Sequence, residues 1–265
     1  MGQRYAAAAV QAVLENRPRV LERLVVRRAD AVVAAWTAVL QAVAGVDTAR
    51  FVAALAPLTR GAGRRMSLDA PIDADGNRMV HWAAMYGHAD DLALFKRHGA
   101  DLRAGNRLGT TPLFDAVRGG CPVTVEAVVR QEGRDVLDHL NEYDCTAMHW
   151  ACKHLSLPGA EALHRLDPGL LNRPNRRGCL PLDVLEWREL YHADLARRAL
   201  GRPPTAEELR PFDELRAWME ANGARPSLRW AEVPAGLRLR RVFAPLNADR
   251  WWSYVRPPFA WAEAA

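Results

Sequence analysis

The sequence predicts an all-α solenoid of stacked helical pairs, with short finger turns, a helical N-terminal cap and an aromatic-rich C-terminal tail. Turn residues recur with a period near 33 residues. Each turn precedes an apolar segment of two to three turns, about the length at which a lone helix is marginal. The 265-residue chain is 49% hydrophobic and 25% charged, an ordinary globular composition that supports a sizeable core and argues against disorder.

The period is carried by particular residues. Gly76 and Gly109 are 33 apart, as are His81 and Phe114; Asp144 and His149 follow 35 further on, and Gly178 and Asp183 another 34. Gly76, Gly109 and Gly178 can take positive φ at the turn before a helix. Thr111 then Pro112 reads as an N-cap followed by proline at the first helical position, where the missing N–H is not needed. Gly99 falls where the residue after a helix belongs. Leu92 and Phe95, and Val125 and Val128, lie at matching offsets as the apolar face of a second helix. Such short helices bury their faces only by stacking on neighbours.

The segments Asp75–His88, Leu108–Ala116, Tyr143–Cys152 and Arg177–Asp183 resemble ankyrin repeats, whose pattern is G-x-T-P-L-H-x-A-A-x-x-G-H, a second helix, then G-A-D. Gly99-Ala100-Asp101 supplies that closing string. The resemblance covers residues 67–224, and it identifies four recognisable repeats. Departures occur: Arg78-Met79 replaces Thr-Pro, Asp144 replaces the turn glycine, Ala147 replaces proline, and Asp183 replaces histidine. The last unit closes at Gly223, 45 residues after Gly178, against 23 from Gly76 to Gly99. The extra length reads as a long helix over 181–199, a loop at Gly201–Pro204 and a helix over 205–222.

Residues 1–66 are expected to form a helical capping region, with degenerate repeats as one reading of its origin, since Asn16-Arg17-Pro18 aligns with Gly120-Cys121-Pro122 and solenoid ends need protection. Residues 225–265 form a separate Trp/Arg-rich extension. Its last 37 residues hold seven of the 20 aromatics, including Trp251 and Trp252, and Leu237–Arg240 alternates like a short strand. This extension has three readings: a cap on the last repeat, a partner-binding segment, or a surface for membrane or nucleic-acid bases.

Net charge is +5, but it is divided unevenly: +6 over 1–66, −4 over 67–228 and +3 over 229–265. A uniformly basic nucleic-acid binder is therefore not expected. Only Lys96 and Lys153 are lysines among 36 basic residues. A GC-rich genome explains that bias, and so does avoidance of ubiquitination inside a eukaryotic cell. Four cysteines are too few for a disulfide framework and point to a reducing compartment. The apolar Ala6–Val10 is followed by amphipathic Gln11–Glu15, so no secretory signal is expected. The stretch Ala31–Val46 is 16 residues, short of the roughly 20 a membrane span needs. The expected location is cytoplasmic, or a host cell reached by a signal-independent route.

Cys145, His149, Cys152 and His154 invite a zinc or nucleophilic reading, but their spacing is not that of two converging ligand pairs. The repeat already places His149 at the family's buried histidine and Cys152 at a small packing position. No oxyanion donor or orienting acid accompanies the thiols, and the acidic residues from Asp73 to Asp101 lack calcium-loop spacing. Neither a metal, a cofactor nor a catalytic residue is expected. Two His-Trp-Ala strings, at His81 and His149, read as packing between repeats or as an aromatic ladder.

The resemblance implies contact positions on the fingers and on the exposed edge of the inner helices. On the fingers these are Ala74, Asp75 and Asn77; Arg107, Leu108 and Thr110; Glu142, Tyr143 and Cys145; and Arg176, Arg177 and Cys179. On the inner helices they are Met85, Tyr86, Arg118, Lys153 and His154. Tyr, Arg and Met anchor interfaces more often than other types. The expected function is non-enzymatic binding of a partner protein through the concave surface, as a bacterial or viral effector or an immunity-type protein. Two alternatives stay open: an unrecognised catalytic unit that uses the repeats as a reader, and nucleic-acid or membrane-interface binding by the Arg/Trp tail.

Overall fold

A computed structural model describes residues 69, 71, 75–97, 99–176 and 178–227. The expected cap over 1–66, most of the extension, the strand-like Leu237–Arg240 and the contact candidates Ala74, Arg177, Trp251 and Trp252 lie outside them. Among the described residues the regular structure is wholly helical: eight α-helices, two short 3-10 helices and no strand.

Helices come in pairs, each preceded by a turn. The pairs are α1 (Met79–Met85) with α2 (Ala89–Arg97), α3 (Pro112–Arg118) with α4 (Pro122–Glu132), α5 (Ala147–His154) with α6 (Leu157–Leu166), and α7 (Pro181–Leu200) with α8 (Ala206–Ala221). The 3-10 helices, Arg134–Asp138 and Pro168–Asn172, follow α4 and α6. The inner helices α1, α3, α5 and α7 pack in series, and α2, α4 and α6 form a second row behind them.

The short inner helices are held by what they bury. Met79, Val80, Leu113, Phe114, Met148, Val184 and Leu185 are almost wholly enclosed. The second row contributes Leu92, Phe95, Val125, Val128 and Leu163. Each such side chain contributes about 1.5–3 kcal/mol of hydrophobic stabilisation. A helix of seven residues cannot supply that alone, so each pair depends on its neighbours.

The helix ends follow local chemistry. Thr111 is the N-cap of α3 with Pro112 in its first turn, but the Thr111 side chain makes no capping hydrogen bond. At α5 the cap is complete: His149 N–H donates to Thr146 Oγ1 at 3.4 Å. Gly99, with φ of +91°, closes α2 through Ala100 N–H donating to the Phe95 carbonyl. In the last unit the long helix and its successor match the expected spans closely. Glu208 and Thr205 form a reciprocal capping box at the start of α8. Gly223, with φ of +88°, ends it.

Candidate functional site

The finger turns are built on one recurring device. Gly76, Gly109 and Gly178 have φ of +74°, +66° and +78°, and Asp144 joins them at +60°. Aspartate is among the few side chains that tolerate the left-handed region, so the departure at Asp144 keeps the geometry. Three residues earlier stands an asparagine: Asn106, Asn141 or Asn175. Asn106 Oδ1 accepts from the N–H groups of Leu108 and Thr110, at 2.9 and 3.1 Å. Asn141 Oδ1 accepts from Tyr143 and Cys145 at 3.0 Å each, and Asn175 Oδ1 accepts from Cys179 at 2.9 Å. Neighbouring fingers are joined by Arg107 N–H donating to Asp75 and Glu142 N–H donating to Leu108, both at 2.9 Å. Sequence reasoning missed these asparagines, although they repeat with the same period as the glycines.

Beneath the fingers, buried imidazoles bridge one repeat to the next. His81 Nδ1 accepts the Arg78 N–H at 3.1 Å, and its Nε2–H donates to the Thr110 carbonyl at 3.1 Å. His149 Nδ1 accepts from the Thr146 hydroxyl at 2.8 Å, and its Nε2–H donates to the Cys179 carbonyl at 3.0 Å. Both rings are therefore neutral with the proton on Nε2. Burial lowers each pKa to about 4, against the pull of those carbonyl bonds. In the second unit Phe114 fills the position. His139, just beyond the following 3-10 helix, sits edge-on to that ring and donates from Nε2 to the Gly109 carbonyl at 2.8 Å.

The fourth unit reverses the polarity. Asp183 Oδ2 accepts the Leu180 N–H and Oδ1 accepts the Ser227 N–H, both at 2.8 Å. The backbone beyond α8 offers a donor where the first and third units meet a carbonyl, so a carboxylate stands where they carry imidazole. Asn172 ties the same segment down: its Nδ2 donates to Gly223 and its Oδ1 accepts from Arg225, both at 2.8 Å.

The inner helices carry several cations. Arg118 ends α3, Lys153 and His154 end α5, and Arg188 lies on α7. Lys153 is 3% exposed, with Nζ 4.1 Å from the Trp150 ring centre and 5.5 Å from that of Tyr143. Burial, with Arg118 and Arg188 adding to it against Cys145, pulls its ammonium well below the ordinary value. His154 is lowered by burial and then by Arg118, Lys153 and Arg188. Burial brings Arg188 to about 10. Two compensations are visible: ring faces attract cations, and helix C-termini carry partial negative charge. His154 Nε2, Arg188 Nε and Trp150 Nε1 are buried with no hydrogen-bond partner among the described residues.

The expected contact residues divide. Arg107, Glu142 and Arg176 are exposed on the fingers, and Asp75, Leu108, Tyr86, Tyr143, Arg118 and His154 are partly exposed. Asn77 is spent on the fingers themselves, its Oδ1 accepting from Asn106 at 2.7 Å. Thr110 and Cys145 are buried at 1% and 2%, so their side chains do not belong to a contact surface. Met85 and Lys153 are also buried, the latter against the Trp150 ring. Arg188 was missed, although it follows Asp183 by the same five residues that separate His154 from His149. Trp82 stacks on Tyr86 while Trp150 lies edge-on to Phe114, and Asp115 occupies the intervening register, so the indoles form no continuous ladder.

The thiols and imidazoles of the third unit diverge. Cys152 packs its sulfur 3.5 Å from that of Met219, and His149 spends both nitrogens on the backbone and Thr146. Among the described residues no three His, Cys, Asp or Glu side chains gather as a metal-binding group. Cavities of about 330 and 430 Å³ lie elsewhere, beside Arg103 and between α7 and α8. Ion pairs run along their walls, Arg103 with Glu132 and Asp135 and Arg216 with Glu189. Among the described residues no helix is long and apolar enough to cross a membrane.

Residues 80–170 match the family model described as Ankyrin repeats (3 copies). This segment is an ankyrin stack. The match ends before the fourth turn, where Asp183 and the long α7 depart from the repeat pattern. Ankyrin repeats typically act without catalysis by binding other proteins, and that places the fingers and inner helices of this ankyrin stack first among its surfaces.

Proposed function

We propose that the protein is a non-enzymatic recognition module that binds a partner protein across its fingers and the adjacent face of the inner helices. The observation that carries this reading is the joining of an ankyrin stack to a face of aromatic rings and exposed charged finger side chains. Arg107, Glu142 and Arg176 supply the exposed rim, and Tyr86, Tyr143 and Arg118 the partly buried floor. Finger-to-finger hydrogen bonds preorganise that surface, which reduces the ordering cost of binding. The setting we propose is a bacterial or viral effector, or an immunity-type protein that blocks a toxin. The scarcity of lysine, two residues against 34 arginines, favours the effector.

Affinity capture followed by mass spectrometry tests the surface. The variant Tyr86→Ala/Arg107→Glu/Glu142→Lys should lose a partner that the wild-type chain retains, while its melting temperature stays within a few degrees. Equal capture by both chains would remove the finger surface from the proposal.

A further inference from the structure

The third inner helix is enclosed on every side. All seven residues from Ala147 to Lys153 are buried. Among the described helices, α5 packs chiefly against α3, α6 and α7. Residues three and four apart share a helix face, so Met148, Ala151 and Cys152 form one side. The Cys152 sulfur, against Met219, turns that side toward α8. Trp150, Lys153 and His154 form the opposite side. Tyr143 reaches Lys153 from the finger, but none of those helices lies across this front. Trp150 and Lys153 are nevertheless 2% and 3% exposed, and Trp187, at the matching register of α7, is 4% exposed. The open front row of a solenoid would leave such positions in water.

None of the buried Asp115 on α3, Arg118, Lys153 and Trp187 is without an interacting group, so this front is a filled interface. The burial lessens toward the first unit, where Trp82 and Tyr86, in the registers of Trp150 and His154, are partly exposed. A cover centred on the third and fourth units comes from the C-terminal side. The Ser227 N–H is bonded to Asp183, so the chain leaves the stack beside the first turn of α7. Thirty-eight residues follow. Extended, they reach about 120 Å, against about 30 Å to cross four helices set about 8–10 Å apart. Residues 229–265 hold seven aromatic rings and a charge of +3, and residues 67–228 a charge of −4. Aromatic rings suit a front of indoles, Arg118 and Lys153, and arginines suit the Asp115 carboxylate. Resting on the recognition reading above, we propose that residues 228–265 fold back over the front of α5 and α7. The chain's own Trp/Arg-rich end then occupies this part of the inner face, and the exposed Arg107, Glu142 and Arg176 of the fingers remain the open contact surface.

The test uses the only two lysines of the full-length chain. Acetylation by an activated ester, read by peptide mass spectrometry, compares Lys153 with Lys96, whose side chain is 36% exposed. A specific protease site is inserted between Ser227 and Leu228. In the uncut chain Lys153 should react at least tenfold more slowly than Lys96. Cutting, then removal of the released segment by gel filtration, should quicken Lys153 at least tenfold. Lys96 should stay within twofold and the helical circular dichroism should not change. Adding a synthetic peptide of residues 228–265 should restore the protection. Lys153 that reacts freely in the uncut chain, or stays protected once the segment is gone, would overturn the proposal. If cutting unfolds the stack, a photo-crosslinking p-benzoylphenylalanine in place of Tyr191 of the uncut chain decides instead, since Tyr191 is partly exposed and stacks on Trp187. Links within one molecule to residues 228–265 support the fold-back. Links to residues 1–68, links to a second copy, or no link would overturn it. The capture experiment above reads the fingers separately, so failure here leaves the recognition module standing.

Discussion

His149 donates from Nε2 to the carbonyl oxygen of Cys179, 30 residues further along the chain, at 3.0 Å. With His81 on Thr110, it makes neutral imidazole a structural part of the joint between repeats.

Acid should therefore loosen the stack before any carboxylate titrates fully. Both histidines have a folded pKa of about 4 against 6.5 for an unperturbed group. Above pH 6.5 both states are neutral and stability is complete. Between 6.5 and 4 the unfolded chain takes up the protons, so stability falls with pH, and below 4 their loss levels off. At pH 5 the pair should cost roughly 2–4 kcal/mol relative to pH 7.5. Urea denaturation at the two pH values measures this, and His149→Phe should remove about half of the difference. A flat profile would show these rings to be ordinary.

Restoring the repeat pattern at Asp183 should harm the protein. Asp183→His places an Nε2–H against the Ser227 N–H, two donors facing each other. Asp183→Asn retains an acceptor for one N–H only. The expected order of stability is Asp, then Asn, then His, with His costing about 2–4 kcal/mol in chemical denaturation. A neutral Asp183→His would show that Ser227 does not fill the place of a following repeat.

Gly119 separates two causes of glycine placement. Its φ of −70° suits any residue, and without a neighbour Ala there would stabilise the helix end slightly. A Cβ would overlap the Met85 carbonyl oxygen, however, because α1 and α3 approach backbone to backbone at this point. Gly119→Ala should cost about 1–3 kcal/mol. Gly178→Ala, which meets nothing but has φ of +78°, should cost about 1 kcal/mol from backbone strain. Comparable thermal stability of Gly119→Ala and wild type would refute the close approach.

Asn141→Ala should open one finger and leave the others closed. It strips the acceptor from the Tyr143 and Cys145 N–H groups, at about 1–3 kcal/mol. Hydrogen exchange should quicken at those two amides while Leu108 and Thr110, held by Asn106, keep their protection.

Much of this was legible from spacing. The period placed all four left-handed residues in register, Asp144 included, because a turn needs a conformation and not a particular side chain. The delay before Gly223 placed α7 and α8, since a helix with a clear N-cap such as Thr205 announces its own start. The asparagine three residues before the last three turns was equally periodic, but its function is a hydrogen bond to backbone that no side-chain pattern displays. Thr110 was read as surface because it flanks the turn, yet its carbonyl serves His81 from the interior. His139 was out of reach of sequence reasoning. It enters the second unit from the end of a 3-10 helix, and only packing brings its ring to Phe114. Arg188 was missed because the register was not followed past Asp183.

The reversal at Asp183 also gives the array a terminus in the sense that a polymer has one. The joints made by His81 and His149 run from a donor to a carbonyl, so such a unit can be followed by another of the same kind. Asp183 would present its acceptor to the carbonyl of any incoming repeat, and the two oxygens would repel. The fourth unit thus acts as a chain stopper: lengthening by duplication at this point needs residue 183 to change with it.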